Sequence, residues 1–191
     1  MRFADIVSFG VIAALSATAS AQMTGGPSAT PAEKIMNAMR AGPPQVTTKA
    51  TIMDWPAAKG GTPIQLRAGT NGWICYPRSS KVVDNAMCFD PVFQQWLDAI
   101  RAKTAPRITR IGVAYLLAGG FIGSARDPYA TGQTESNDWG RDGPSMMVIS
   151  PDPSLYAGLP TKRSDGPYVM YAGTPYAHIM VPVAAAGAAV K

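Results

Sequence analysis

Glycine and proline interrupt this chain so often that its sequence argues against a bundle of long helices. There are 19 Gly and 17 Pro in 191 residues. Most of them fall between short apolar runs, where glycine permits tight turns and proline stops helices and breaks ladders. The pattern predicts short elements joined by many turns. Hydrophobic residues make up 47% of the chain and charged residues 15%. The charged share is too low for a polyelectrolyte-like disordered chain, and the length suits one domain with its own core.

Residues 1–21 read as a secretory signal peptide. Arg2 is the positive n-region, Ile6 to Leu15 the apolar stretch, and Ala19-Ser20-Ala21 a small-residue cleavage site before Gln22. The stretch is too short for a membrane span, and nothing later in the chain approaches one. The expected mature protein is periplasmic or secreted after cleavage near Ala21, with no transmembrane segment. Cleavage removes Arg2 and Asp5, so the formal charge of +5 is unchanged. Export also gives the two cysteines a meaning. Cys75 and Cys88 form an even pair in an oxidising compartment and are expected to be a structural disulfide. Their spacing is far from the C-x-x-C of a redox pair.

Residues 22–30 read as a flexible leader. Thr30, Pro31 and Glu33 form a helix start with a capping box, predicting a helix over 31–41 with Ile35, Met36 and Met39 on one apolar stripe and Gly42 as its stop. Strands are predicted over 46–54, 63–68 and 73–76 as an antiparallel meander, with an irregular stretch over 77–88. Asp90 as N-cap and Pro91 as first residue open a second helix, whose Val92, Phe93, Trp96, Leu97 and Ile100 recur at helical spacing. Further strands are expected at 107–117, 145–150, 168–172 and 176–183, with a helical turn near 151–156 and a loose tail over 186–191. The predicted fold is α+β, mainly an antiparallel sheet with two principal helices, in a single globular domain over 31–185.

The stretch 119–144 shows no periodicity, and a loop of that length is functional or disordered. It carries Asp127, Glu135, Asp138 and Asp142 with Asn137 and Trp139. An EF-hand register from Asp127 puts Gly132 at position six and Asp138 at position twelve, but Tyr129 falls at a ligand position and no helix frames the loop. A solvated polar loop is the expectation, and no metal site or cofactor is assigned. His178, the only histidine, shares a strand face with Tyr176 and Met180 and reads as a hydrogen-bonded structural residue. As a general base it would need a nucleophile and an orienting acid, and no serine sits in G-x-S-x-G. Gly119-Gly120-Phe121-Ile122-Gly123 matches no phosphate-binding motif. The basic run Arg101, Lys103, Arg107 and Arg110 reads as a solvated face, so no nucleic-acid partner is expected. The aromatic residues Trp55, Trp73, Tyr76 and Trp139 lie near turns, either as packing or as a ligand-stacking platform.

The segments ATIMDWP (50–56), LRAGTNGWICYP (66–77), SNDWGRDGP (136–144) and GTPYAHIMVPV (173–183) resemble a family of uncharacterised exported bacterial proteins. The resemblance spans most of 46–183 and implies no activity, cofactor or catalytic residue. The family pattern often has His where this chain has Ser145, so a two-His metal site is not carried over.

Three functions follow as expectations. The first is a non-catalytic binding or envelope-associated module whose ligand, a small molecule or an envelope polymer, meets Trp73, Trp139, Asp138, Glu135, Tyr176 and His178. The second is a small secreted hydrolase or metal-assisted enzyme using His178 and loop carboxylates. The third is a purely structural role.

Overall fold

A computed structural model describes residues 29–184 except Lys59, Ser80 and Lys81. The expected signal peptide, most of the leader and the 186–191 tail lie outside the described residues.

The first helix, α1 (Pro31–Met39), starts as its sequence dictates. Glu33 N donates to Thr30 Oγ1 at 3.3 Å, and Thr30 N donates back to the Glu33 carboxylate at 2.8 Å. The buried face differs from the expected stripe. Met36 is exposed, whereas Asn37 and Ala38 are buried. Asn37 can be buried because Asp84 accepts its amide at 3.0 Å and Arg78 N donates to its carbonyl oxygen at 2.7 Å.

The run 46–54 is only partly a strand. Pro44–Thr47 is a short helix, α2, and strand β1 covers Thr51–Asp54. Pro44 is pre-set for the first helical position. Thr48 Oγ1 donates to Pro44 O at 2.7 Å, and the Arg67 guanidinium donates to the carbonyls of Thr47 and Ala50. A cation from a later strand thus stabilises a turn that the β-branched residues alone disfavour.

The chain continues with β2 (Ile64–Arg67), β3 (Ile74–Tyr76), β4 (Met87–Phe89), α3 (Pro91–Ala102), β5 (Gly112–Leu116), β6 (Phe121–Ser124), β7 (Trp139–Asp142), β8 (Ser145–Ile149), β9 (Tyr168–Met170) and β10 (His178–Pro182). Eight strands form one mixed sheet in the order β2-β1-β3-β4-β5-β8-β10-β9, and β6 pairs with β7 apart from it. The fold is α+β and mostly antiparallel, as predicted. The meander is not. β3 pairs with β1 in parallel, Thr51 facing Ile74 and Ile52 facing Cys75. The expected 107–117 strand is shorter, since 107–111 lie outside β5.

Successive residues point to opposite faces of a strand, and two core clusters follow that alternation. Ile74, Tyr76, Phe89, Ala114 and Leu116 pack with Phe93 and Trp96 of α3 on one face. Cys75, Cys88 and Tyr115 pack with Ala38 and Ala41 at α1 on the other. Cys75 and Cys88 are opposite each other in the β3–β4 ladder and form the disulfide, with Cα atoms 4.0 Å apart. Asp90 ties α3 to the sheet: its carboxylate accepts Phe93 N at 2.7 Å and Val113 N at 3.0 Å. No helix among the described residues is long and apolar enough to cross a membrane.

Candidate functional site

The 119–144 stretch is a hairpin with a long tip. β6 and β7 pair from Phe121–Asp142 to Ser124–Trp139, and the excursion hangs between β5 and β8, which are neighbours in the main sheet. The tip is closed at its base. Ser124 Oγ donates to Asn137 O at 2.6 Å and accepts from Asp127 N at 2.8 Å, while Ala125 N donates to Asp138 O at 3.1 Å. Asn137, buried, donates to Gly132 O and accepts from Thr134 N. Tyr129 anchors the outer part, its hydroxyl 2.8 Å from that of Tyr176. Tyr176 in turn donates to Thr104 O at 3.0 Å, just past α3. Asp127, the first residue of the EF-hand register, accepts Tyr129 N in a local turn.

Where this hairpin meets residues 162–164, an open cleft of about 510 Å³ forms. Its floor is Arg163. Nε donates to Asp142 Oδ1 at 3.0 Å, Nη1 to Asp138 O at 3.1 Å and Nη2 to Gly123 O at 3.2 Å. Tyr168 adds a donor to the same Asp142 oxygen at 2.8 Å. Burial works against the Arg163 charge, but Asp142 and then Tyr168 outweigh it and hold its pKa above the ordinary value. Burial first, and then the Asp142 charge, push the Tyr168 hydroxyl well up, so it stays protonated and donates. Gly140 makes room for this arrangement, because a Cβ there would run into Arg163 Nη1.

The other cleft groups are uncommitted. Trp139 is half-buried and lines the cleft. The remaining tryptophans are engaged: Trp55 against Tyr76, Trp73 stacked on Tyr115 at 5.5 Å, and Trp96 against Phe93 and His178. Among the described residues Trp139 has no aromatic ring contact and no indole hydrogen bond. The Asp138 carboxylate accepts no hydrogen bond from the described residues. Oδ2 is buried without a partner, and the nearest cation, Arg163 Nη1, is 3.9 Å from Oδ1. Asp138 also has φ 45, a left-handed conformation that Asp tolerates better than most residues. The exposed Arg126 and Lys162 side chains flank the cleft, with no hydrogen bond or ion pair among the described residues.

Of the six residues expected at a ligand site, the structure brings together Asp138 and Trp139. Glu135 is exposed elsewhere on the loop. Trp73 belongs to the α1 face of the sheet, and Tyr176 is buried beneath Tyr129. His178 is 1% exposed, between the rings of Trp96 and Tyr171 at 4.8 and 5.4 Å. Burial lowers its pKa to about 4, against a smaller opposing effect of the Tyr176 carbonyl, which lies 3.1 Å from Nδ1. The ring is therefore neutral, with Nδ1–H donating to that carbonyl and Nε2 left without a partner. No acid among the described residues is hydrogen-bonded to it. Ser145 faces Pro182 in the β8–β10 ladder, four residues along β10 from His178. That is roughly 13 Å at the rise of an extended strand, too far for a Ser–His pair or for a His at position 145 to share a metal with His178.

Arg126, Gly140, Lys162 and Arg163 are absent from the residues expected from the sequence. The burial of Asp142, which gives Arg163 its role, is visible only in the structure, since Asp142 lies in a stretch without periodicity. The basic run is dispersed: Arg101 pairs with Asp98 at 2.9 Å, and Lys103 sits 5.2 Å from the centre of the Tyr129 ring. Among the described residues no group of three or more His, Cys, Asp or Glu gathers as a metal site.

No family model, curated protein or solved structure is similar enough to this chain to match it.

Proposed function

We propose that this chain is an exported, non-catalytic binding module whose ligand enters the cleft at Trp139. The observation that carries this reading is the contrast within the cleft. Arg163 is held by three acceptors, while the Trp139, Arg126 and Lys162 side chains make no hydrogen bond or ion pair among the described residues and the Asp138 carboxylate has only a 3.9 Å approach to Arg163. A preorganised floor under uncommitted polar and aromatic groups is what a ligand site requires. The volume falls within the range of small-ligand sites. The Cys75–Cys88 disulfide lends weak support to export, and the resemblance to uncharacterised exported bacterial proteins points the same way.

The alternative, a small hydrolase or metal-assisted enzyme, relies on His178 as base or ligand. Its burial between two rings, far along the strand from Ser145, weighs against that role.

A thermal-shift series tests the binding reading. The purified protein is heated with saccharides, small anions and divalent cations, each beside W139A. A ligand that binds only the native state raises the melting temperature. At least one compound is expected to do so in the parent protein and to lose the effect in W139A. Shifts that survive W139A unchanged contradict the assignment of the cleft.

A further inference from the structure

We infer that the ligand of this cleft is an acidic saccharide, an inference that rests on the binding reading above. Three kinds of free group lie together, and each needs a different partner.

The Trp139 indole is an apolar, π-rich surface with no ring against it. Flat ligands, including the C–H face of a pyranose, cover such a surface. Beside it the Asp138 carboxylate accepts no hydrogen bond from the described residues, and one of its oxygens is buried. A charge in that position calls for a donor. No donor among the described residues is within hydrogen-bond distance of it: Arg163 Nη1 stays 3.9 Å from Oδ1 and bonds the Asp138 main-chain carbonyl instead. A ligand hydroxyl supplies a bond to Oδ1, the oxygen that is not buried. Arg126 and Lys162 flank the same cleft as unpaired cations. Since Asp142 neutralises Arg163, these two outweigh Asp138, and the free part of the cleft is positive, as is the chain at +5. They call for an anionic group on the ligand.

Simpler ligands leave one group unmatched. A neutral saccharide leaves both cations unpaired. A bare dicarboxylate offers Asp138 no donor and repels it. A nucleotide has a ring, hydroxyls and a phosphate, but the one helix start among the described residues of the cleft is the 3-residue 3-10 turn Arg163–Asp165, too short to build a phosphate-binding dipole, and no glycine-rich nest lies beside it. A sugar ring with hydroxyls and a carboxylate matches all three. The open cleft also suits a chain of such units passing across it.

Calorimetric titration decides between these, with trigalacturonate, galactotriose, glutarate and AMP as probes. Trigalacturonate is expected to bind at least tenfold more tightly than each of the other three. R126Q/K162Q changes two exposed side chains that make no hydrogen bond or ion pair among the described residues. It is expected to bring trigalacturonate down to the galactotriose level and to remove its salt dependence. W139A is expected to abolish binding. If galactotriose, glutarate or AMP binds as tightly as trigalacturonate, in a manner that W139A removes, the acidic-saccharide inference is overturned and the binding reading stands. If trigalacturonate binds but neither variant weakens it, the cleft is the wrong site and both fail. If trigalacturonate does not bind at millimolar concentration, the inference is overturned, and the thermal-shift series judges the binding reading separately.

Discussion

Arg163 Nε lies 3.0 Å from Asp142 Oδ1, and the two side chains are 15% and 3% exposed. The pair joins the segment after β8 to the β6–β7 hairpin and fixes the depth of the cleft. Truncating Arg163 leaves a buried carboxylate without its cation, which costs about 3 kcal/mol or more. R163A is therefore expected to lower the free energy of unfolding by about that amount in urea titration. R163K is expected to recover only part, because an ammonium cannot reach three acceptors as the planar guanidinium does. A change in R163A below about 1 kcal/mol would contradict this role.

His178 makes stability depend on pH in a definite direction. Its folded pKa is about 4, below the ordinary 6.5. Between these values the unfolded chain binds the proton and the folded one does not, so stability is full above about 6.5 and falls as pH drops toward 4. The whole effect is on the order of 3 kcal/mol, with a slope of up to about 1.4 kcal/mol per pH unit. Carboxylates titrate mostly below pH 5. Urea titrations between pH 5 and 7 are thus expected to show this slope in the parent protein and its loss in H178Q. An equal slope in both proteins would remove His178 as its source.

The disulfide closes a short loop, with its cysteines 13 residues apart. On the chain-entropy account it contributes about 3 kcal/mol. C75A/C88A is expected to lose roughly that much, and thiol titration of the unreduced, denatured protein is expected to find no free thiol. Two titratable thiols would contradict the bond.

What could be read from the sequence was local. Thr30 and Glu33 cap α1, and Asp90 caps α3, through contacts three residues away, so both helix starts were legible. The Cys75–Cys88 pair was legible because two cysteines allow one pairing. Long-range contacts were hidden. Residues 46–48 look extended, and their helical turn depends on Arg67. The parallel pairing of β1 with β3 depends on β2 taking the outer edge of β1, a choice that no local pattern records. Trp139-Gly140-Arg141-Asp142 does not alternate as a half-buried strand should, because Gly140 and Asp142 serve Arg163 from within it. Asp138 and Trp139 were found because they stand out in a polar loop. Arg163 was not, because its partners lie 21 to 40 residues upstream.

The central claim is that ligand meets the protein at Trp139, and the indole N–H signals of the four tryptophans test it most directly. In a nitrogen-15 correlation spectrum titrated with trigalacturonate, assigned through W139F, the Trp139 signal is expected to move saturably. The signals of Trp55, Trp73 and Trp96, held in ring contacts, are expected to stay in place. Movement of any of those three with Trp139 unmoved would place the ligand elsewhere and contradict the account.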